Sequence, residues 1–405
     1  MNFRKVELNE IADIVPGFAF KSSEFCKCGE KIIKITDIKP PQIDLNNNSM
    51  VDMKNYDKLK MKKYKVEKGD FIIAMTGATI GKIGKILIDD YAYLNQRTAK
   101  FVCKDSSKVN KDYLYYVISG LDFSNYIYSH IDSESAQPNI SANTISKYSF
   151  NMPSYEIQEK ISKILLAFDN KIALNNQIND NLYEITNKLY EQLFFIERQD
   201  DWKEYNLQEL MDISNGYSYT GKELVDTSVI GMATIKNFER TGGFKEEGFK
   251  DIEPIKAKNI HYADKFDILV ACTDLTQNAD IIGNAIMLLN SGRYEKVVVS
   301  MDLVKILPKK NKYLVFSILN SKEFKNFALG YKTGTTVLHL NKNCFKDFNI
   351  RLPDLDKVEN FEKMVETNYK KISYNLEEND TLIQLRDTLL PKLMNGEIGL
   401  DKIEI

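Results

Sequence analysis

Hydrophobic and polar positions follow two rhythms along this chain, and each rhythm occurs twice. Lys68-Gly69 leads into the apolar run Asp70-Phe71-Ile72-Ile73-Ala74-Met75, which stops at Thr76-Gly77; Lys82-Ile83-Gly84-Lys85-Ile86-Leu87-Ile88 follows. Short apolar runs between glycine turns read as strand, loop, strand. The second copy is Asp267-Ile268-Leu269-Val270-Ala271 and then Ile282-Gly283-Asn284-Ala285-Ile286-Met287. Stretches 113–118 and 313–319 read as short helices. After Met152-Pro153, and again after Leu352-Pro353, the spacing changes to three and four. Ile157, Ile161, Ile164 and Phe168, then Ile178, Leu182, Ile185 and Leu189, form the first stripe. Val358, Phe361 and Val365, then Leu382, Leu389 and Leu393, form the second. Each stripe predicts a helix of about 40 residues, roughly 60 Å long.

A helix that long outruns a domain of ordinary size, so much of its stripe needs a partner elsewhere, and the other long helix is the obvious one. Both stripes falter at asparagines: Asn175, Asn176 and Asn179 in the first, Asn368, Asn375 and Asn379 in the second. Polar residues in a helix seam cost stability but fix register. Antiparallel pairing would bring the two polar centres together. The expected architecture is an α+β chain with two mixed α/β domains and two long helices pairing as an antiparallel coiled coil. The parts are residues 1–154, 155–200, 201–353 and 354–405, a rod with a globular body at each end and an approximate twofold axis.

The repeat is visible residue by residue. Asp13-Ile14, Gly17-Phe18-Ala19-Phe20 and Glu24-Phe25 return as Asp212-Ile213, Gly216-Tyr217-Ser218-Tyr219 and Glu223-Leu224. Ile35-Thr36-Asp37-Ile38 is answered by Ile235-Lys236-Asn237-Phe238. Tyr113-Leu114 with Phe123-Ser124-Asn125-Tyr126 matches Tyr313-Leu314 with Phe324-Lys325-Asn326-Phe327.

Charge sharpens this division. The net charge is −2, yet residues 1–154 carry about +4 and residues 201–353 about +2. Residues 155–200 carry about −3 and residues 354–405 about −5. Two mildly basic bodies separated by acidic helices permit phosphate contact in two places. The 5 cysteines are scattered, with Cys26 and Cys28 the one close pair, and the 3 histidines stand alone. That spacing argues against a disulfide framework or a zinc site. No apolar run approaches the ~20 residues of a membrane span, and the first residues lack a signal-peptide core, so the chain reads as cytosolic with no membrane partner.

Gly77-Ala78-Thr79-Ile80-Gly81-Lys82 has the look of a phosphate loop but is one residue short between its glycines, and Ile83 follows the lysine where Ser or Thr would hold magnesium. Asn-Pro-Pro-aromatic and Asp-Pro-Pro-aromatic motifs, GxGxxG loops, nucleophile elbows and His-Glu-x-x-His are all missing. A self-contained nuclease or methylase therefore has no visible site. The remaining alternative to a DNA reader is a coiled-coil scaffold between proteins.

Two segments carry a family resemblance. Lys68-Gly69-Asp70 with Thr76-Gly77-Ala78-Thr79-Ile80-Gly81-Lys82, and the closing Leu389-Leu390-Pro391-Lys392-Leu393-Met394-Asn395-Gly396-Glu397-Ile398, resemble type I restriction-modification specificity subunits. The resemblance implies two target-recognition domains reading a bipartite double-stranded DNA sequence, one half-site each. It also implies two adenine-N6 methyltransferase subunits bound through the helices, with restriction subunits joining them. S-adenosylmethionine would bind the methyltransferase, and this chain would carry no cofactor and no catalytic residue. The second half departs from the first around residues 273–282, where no counterpart of Gly77 is evident and a few residues are added.

Candidate DNA contacts follow from side-chain chemistry. Lys60, Lys62 and Lys63 in the lysine-rich run, with Lys82 and Lys85, suit phosphates. Gln96 and Arg97 can pair with adenine and guanine edges. Gln137 and Asn139 precede Ile140, a place answered by Thr335 and Thr336 in the second half. Lys236, Arg240, Gln277, Asn278 and Lys332 complete the second set.

Overall fold

The computed structural model describes residues 3–46, 48–131, 138–240, 242–276 and 279–400. Contacts divide the chain into two units: Met1–Asn170 with Ile383–Ile405, and Lys171–Leu382.

In the first unit a six-stranded sheet runs in the order Ala12–Pro16, Thr98–Cys103, Phe71–Ala74, Ile83–Lys85, Gln42–Ile43, Ile38–Lys39. A five-stranded sheet contains Ser49–Val51, Glu30–Ile33, Tyr91–Leu94 and Lys65–Glu67 side by side, the middle two parallel. The second unit repeats both cores. Met211–Asn215, Leu303–Pro308, Ile268–Ala271 and Ala285–Met287 form one sheet; Lys250–Asp251, Ile230–Ala233, Lys296–Val299 and Tyr262–Ala263 form the other, again with a parallel central pair.

This arrangement explains the unbroken apolar runs. Phe71 and Ile73 enter one core with the helices, whereas Ile72 and Ala74 enter a second core with Ile33, Val66 and Leu94. Ile268 and Val270 likewise separate from Leu269 and Ala271. A strand buried on both faces has no polar face to alternate.

Helices Lys111–Ser119 and Lys312–Asn320 close the helical side of each core, and their N-termini are satisfied differently. In the first unit Asn110 caps the helix by accepting from the Tyr113 amide (2.9 Å), and Gln158 accepts from the Asn110 amide (2.9 Å). In the second, Glu362 accepts from the amides of Tyr313 and Leu314 (3.2 and 2.5 Å). Gln158 and Glu362 belong to the two long helices, so each long helix anchors its own domain through the orphan N–H groups of a neighbour.

The long helices are Tyr155–Glu191, continued by a π turn at Gln192–Ile196, and Glu359–Met394, ended by Gly396 at φ 73°. Within the second unit they run antiparallel. Asn175 donates to Asn379 (2.9 Å), Asn375 to Asn179 (2.7 Å), Asn379 to Asn176 (2.9 Å) and Asn368 to Thr186 (3.1 Å). Steps of four and then seven residues forward on the first helix meet equal steps back on the second. Lys171 bridges Glu378 (3.0 Å) at the edge of this block. The polar centre expected from the sequence is thus an amide ladder, with Asn175 and Asn375 fully buried. One detail differs: Ile185 is exposed, and Thr186 takes the seam. The helical pitch of 3.6 residues moves the stripe off Ile185 by that turn.

In the first unit the closing segment of the second long helix completes the core: Leu393 and Leu400 are buried with Leu8, Leu114 and Ile161. Arg386 donates to Asp169 (2.7 Å), which also accepts from Tyr116 (2.5 Å). Among the described residues no helix is long and apolar enough to cross a membrane.

Candidate nucleic-acid interface

Backbone hydrogen bonds knit several loops of the first unit into one rim. Phe18 pairs with Asn95 as an isolated bridge, and its amide donates to the Leu94 carbonyl (2.9 Å). A Cβ on Gly17 would collide with the Asn95 carbonyl, so only glycine lets these segments approach. The Met75 amide donates to the Arg97 carbonyl (2.9 Å), Ile140 to Met75 (3.0 Å) and Gly77 to Pro138 (2.9 Å), with Thr76 bridging Asn139. Lys60 extends the rim, its ammonium 5.8 Å from the Phe18 ring. That ring belongs to an aromatic cluster with Phe20, Tyr56 and Tyr64. Burial, then the bond to Glu24, pushes the Tyr56 hydroxyl up to about 12, so it stays a donor.

Gln96, Arg97 and Asn139 therefore sit beside one another on this rim, all exposed. Lys60, Lys62, Lys63 and Lys82 are exposed as well, and none of the seven has an ion pair or side-chain hydrogen bond among the described residues. Lys85 is a correction. It stands on Ile83–Lys85, a strand buried at every position, where it is 8% exposed and bonds Asp112 at 2.5 Å. Desolvated and ion-paired, its ammonium is committed to the fold rather than to a phosphate. Gln137 lies outside the described residues.

The second unit builds the same rim with other side chains. Tyr217 bridges Ser300, and a Cβ on Gly216 would collide with the Ser300 carbonyl. The Cys272 amide donates to the Asp302 carbonyl (2.8 Å), and Leu340 to Cys272 (2.9 Å). Asp302 therefore occupies the place of Arg97, and Met301 that of Gln96, an equivalence the sequence alone did not disclose. Under this rim Glu223 accepts from the Tyr217 hydroxyl (2.5 Å) and the Ile255 amide (3.0 Å), which hold its carboxyl down at about 2.

The glycine-rich turn is also repeated. Gly81 and Gly283 both have positive φ, and both amides return to the preceding strand, at Ala74 and Ala271. Four residues before each stands a second left-handed residue, Gly77 (φ 76°) and Ala279 (φ 56°). The apparent gap at Gly77 is thus filled by an alanine held in a conformation that favours glycine. Thr273 pairs with His339 as Thr76 bridges Asn139, so the added residues come after Thr273. Gln277 and Asn278 lie outside the described residues. Thr335, Thr336 and Lys332 are exposed on the hairpin carrying Leu338–Leu340. Lys236 and Arg240 are exposed on a different segment, the turn Ile235–Asn237 and the hairpin closed by Phe238 and Phe244.

Comparison with known proteins agrees with this twofold plan. The family model described as type I restriction modification DNA specificity domain matches twice, at residues 1–184 and 199–385. The type I restriction enzyme HindI specificity subunit of Haemophilus influenzae is 23% identical over 403 residues, covering 82% of this chain and 87% of that one. The MjaVIII specificity subunit of Methanocaldococcus jannaschii is 29% identical over 191 residues, 45% of this chain and 43% of its own length. The crystal structure of a type I restriction-modification system S subunit from M. genitalium superposes with a TM-score of 0.58 at 15% identity, covering 97% of this chain and 96% of that one. The fold is shared.

Proposed function

The chain belongs to the type I restriction-modification DNA specificity family, two copies of whose domain it carries, and from that premise we propose that it selects the DNA sequence on which a methyltransferase and restriction complex acts. Each domain reads one half of a bipartite target, and the chain itself carries out no reaction. The observation that carries this reading is the rim of the first unit. Gln96, Arg97 and Asn139, whose side chains suit base edges, and Lys60, which suits a phosphate, are exposed there without competing partners among the described residues. Phosphate contacts set orientation, and base-edge contacts set sequence.

The methyltransferase subunits, two in number, dock on the long helices. Apolar side chains exposed outside the helix seam support this: Leu174, Ile185, Met364 and Tyr374 in the second unit, Leu385 in the first. S-adenosylmethionine and the reacting adenine belong to those partners, and restriction subunits join the assembled complex in the cytosol.

The test is the pattern of adenine-N6 methylation across the host genome, with the gene intact and deleted. Loss of methylation at one bipartite motif is the expected result and yields both half-sites. An unchanged pattern, with the gene and its methyltransferase both expressed, refutes the reading and favours a scaffold without a DNA role.

A further inference from the structure

We infer that Asp302 is a specificity-determining residue that selects a cytosine in the half-site of the second domain, at the place where the first domain presents Arg97. This rests on the proposed DNA-reading function and adds to it one side chain and one base.

The equivalence stands on shared backbone geometry. The amides of Met75 and Cys272, each following the central strand of its own sheet, donate to the carbonyls of Arg97 and Asp302 at 2.9 and 2.8 Å. The same tight turn encloses both: Thr98 donates to Asn95 (2.9 Å) and Leu303 to Ser300 (3.0 Å). Gly17 and Gly216 abut Asn95 and Ser300 in the same way. The two loops are one structural position carrying opposite chemistry, Gln-Arg in one copy and Met-Asp in the other.

Asp302 has no ion pair or side-chain hydrogen bond among the described residues, although it is partly exposed in a basic domain. Beside it Met301 leaves half its surface in solvent (49%), an apolar tip at the head of a loop. A free carboxylate opposes phosphates, so on a DNA-facing rim it is tolerated only against a base donor. In the major groove the donors are cytosine N4 and adenine N6. Adenine places its N7 acceptor beside N6, which repels the second carboxylate oxygen. Cytosine offers its amino group with no adjacent acceptor on the same base. Guanine O6 and N7 and thymine O4 repel a carboxylate outright. Cytosine is the base that remains.

The isosteric change Asp302→Asn tests this directly, because an amide matches adenine N6 and N7 and a carboxylate does not. The complex of full-length chain and methyltransferase is assayed on duplexes carrying the native motif with one base pair replaced at a time. With wild-type protein, replacing one cytosine of a single half-site lowers methylation by roughly 5- to 150-fold. With Asp302→Asn, the preference at that position moves to adenine, and every other position keeps its discrimination. Three results overturn the assignment: a motif with no cytosine in either half-site, a variant panel identical to wild type, or an even loss at all positions of both half-sites. A wild-type complex indifferent to every replacement instead overturns the DNA-reading function beneath it.

Discussion

The amide ladder between the long helices makes a quantitative prediction about coupling. In Asn379→Leu, Asn175 keeps its bond to Glu378 but its second N–H, buried at the seam, loses the Asn379 acceptor. An unsatisfied buried donor costs about 1–3 kcal/mol. Asn175→Leu strands the Asn379 carbonyl oxygen at similar cost, while Lys171 and Glu378 still have each other at 3.0 Å. The double variant removes both groups and buries two leucines face to face, which is near neutral or stabilising. The cycle should therefore show a favourable coupling of about 2–6 kcal/mol, far above the ~0.5 kcal/mol of independent sites. Urea unfolding followed by fluorescence of Trp202, the single tryptophan, reports the right region. Its ring is 6.4 Å from Phe194, which packs at 4.9 Å on Phe361 of the second long helix. Additive single and double effects would show that the ladder is incidental to helix pairing.

Two further results are expected. Asn290 donates to both Glu246 (2.8 Å) and Asp380 (2.6 Å), and burial, then the Asp380 charge, pushes the Glu246 carboxyl up to about 7. The folded chain holds a proton that the unfolded chain releases from about 4.5 upward, so stability falls as pH rises through 4.5–7 and stays reduced above it. Glu246→Gln removes that loss: after allowance for its partial exposure, it should stabilise the second unit by about 1–2 kcal/mol at pH 8, and a urea midpoint shift equal at pH 5 and 8 would contradict this. Replacing Lys60, Lys62 and Lys63 by alanine should weaken DNA binding at all sequences alike and flatten the salt dependence by about 0.9 per lost phosphate contact; an unaltered slope would place the DNA elsewhere.

Much of this architecture is legible in the sequence, because it rests on periodicity. The change of period after Met152-Pro153 and Leu352-Pro353 marks both long helices, and the asparagines at 175, 179, 375 and 379 interrupt each stripe at matching distances. The repeat of Gly17 and Gly216 locates two loops that only a glycine can close. What stayed hidden depends on tertiary neighbours. Lys85 looks like any loop-flanking lysine until Asp112, 27 residues away, turns out to claim it. Ala279 gives no hint of its positive φ, since alanine ordinarily avoids that region. The pairing of Arg97 with Asp302 was masked by the residues added after Thr273, which break the register of the two halves.

The first unit draws on two stretches of chain separated by the whole second unit, and this bears on the order in which it can be made. Residues through Asn170 emerge from the ribosome first, yet the places for Leu393 and Leu400 in their core stand open until the whole second unit has followed. At 5–20 residues per second, 212 intervening residues take roughly 10–40 s. Throughout that interval the core that holds Leu8, Leu114 and Ile161 lacks two of its buried leucines on a tethered nascent chain. The domain translated first is thus the one finished last, and a ribosome that stalls within the second unit leaves it unable to close.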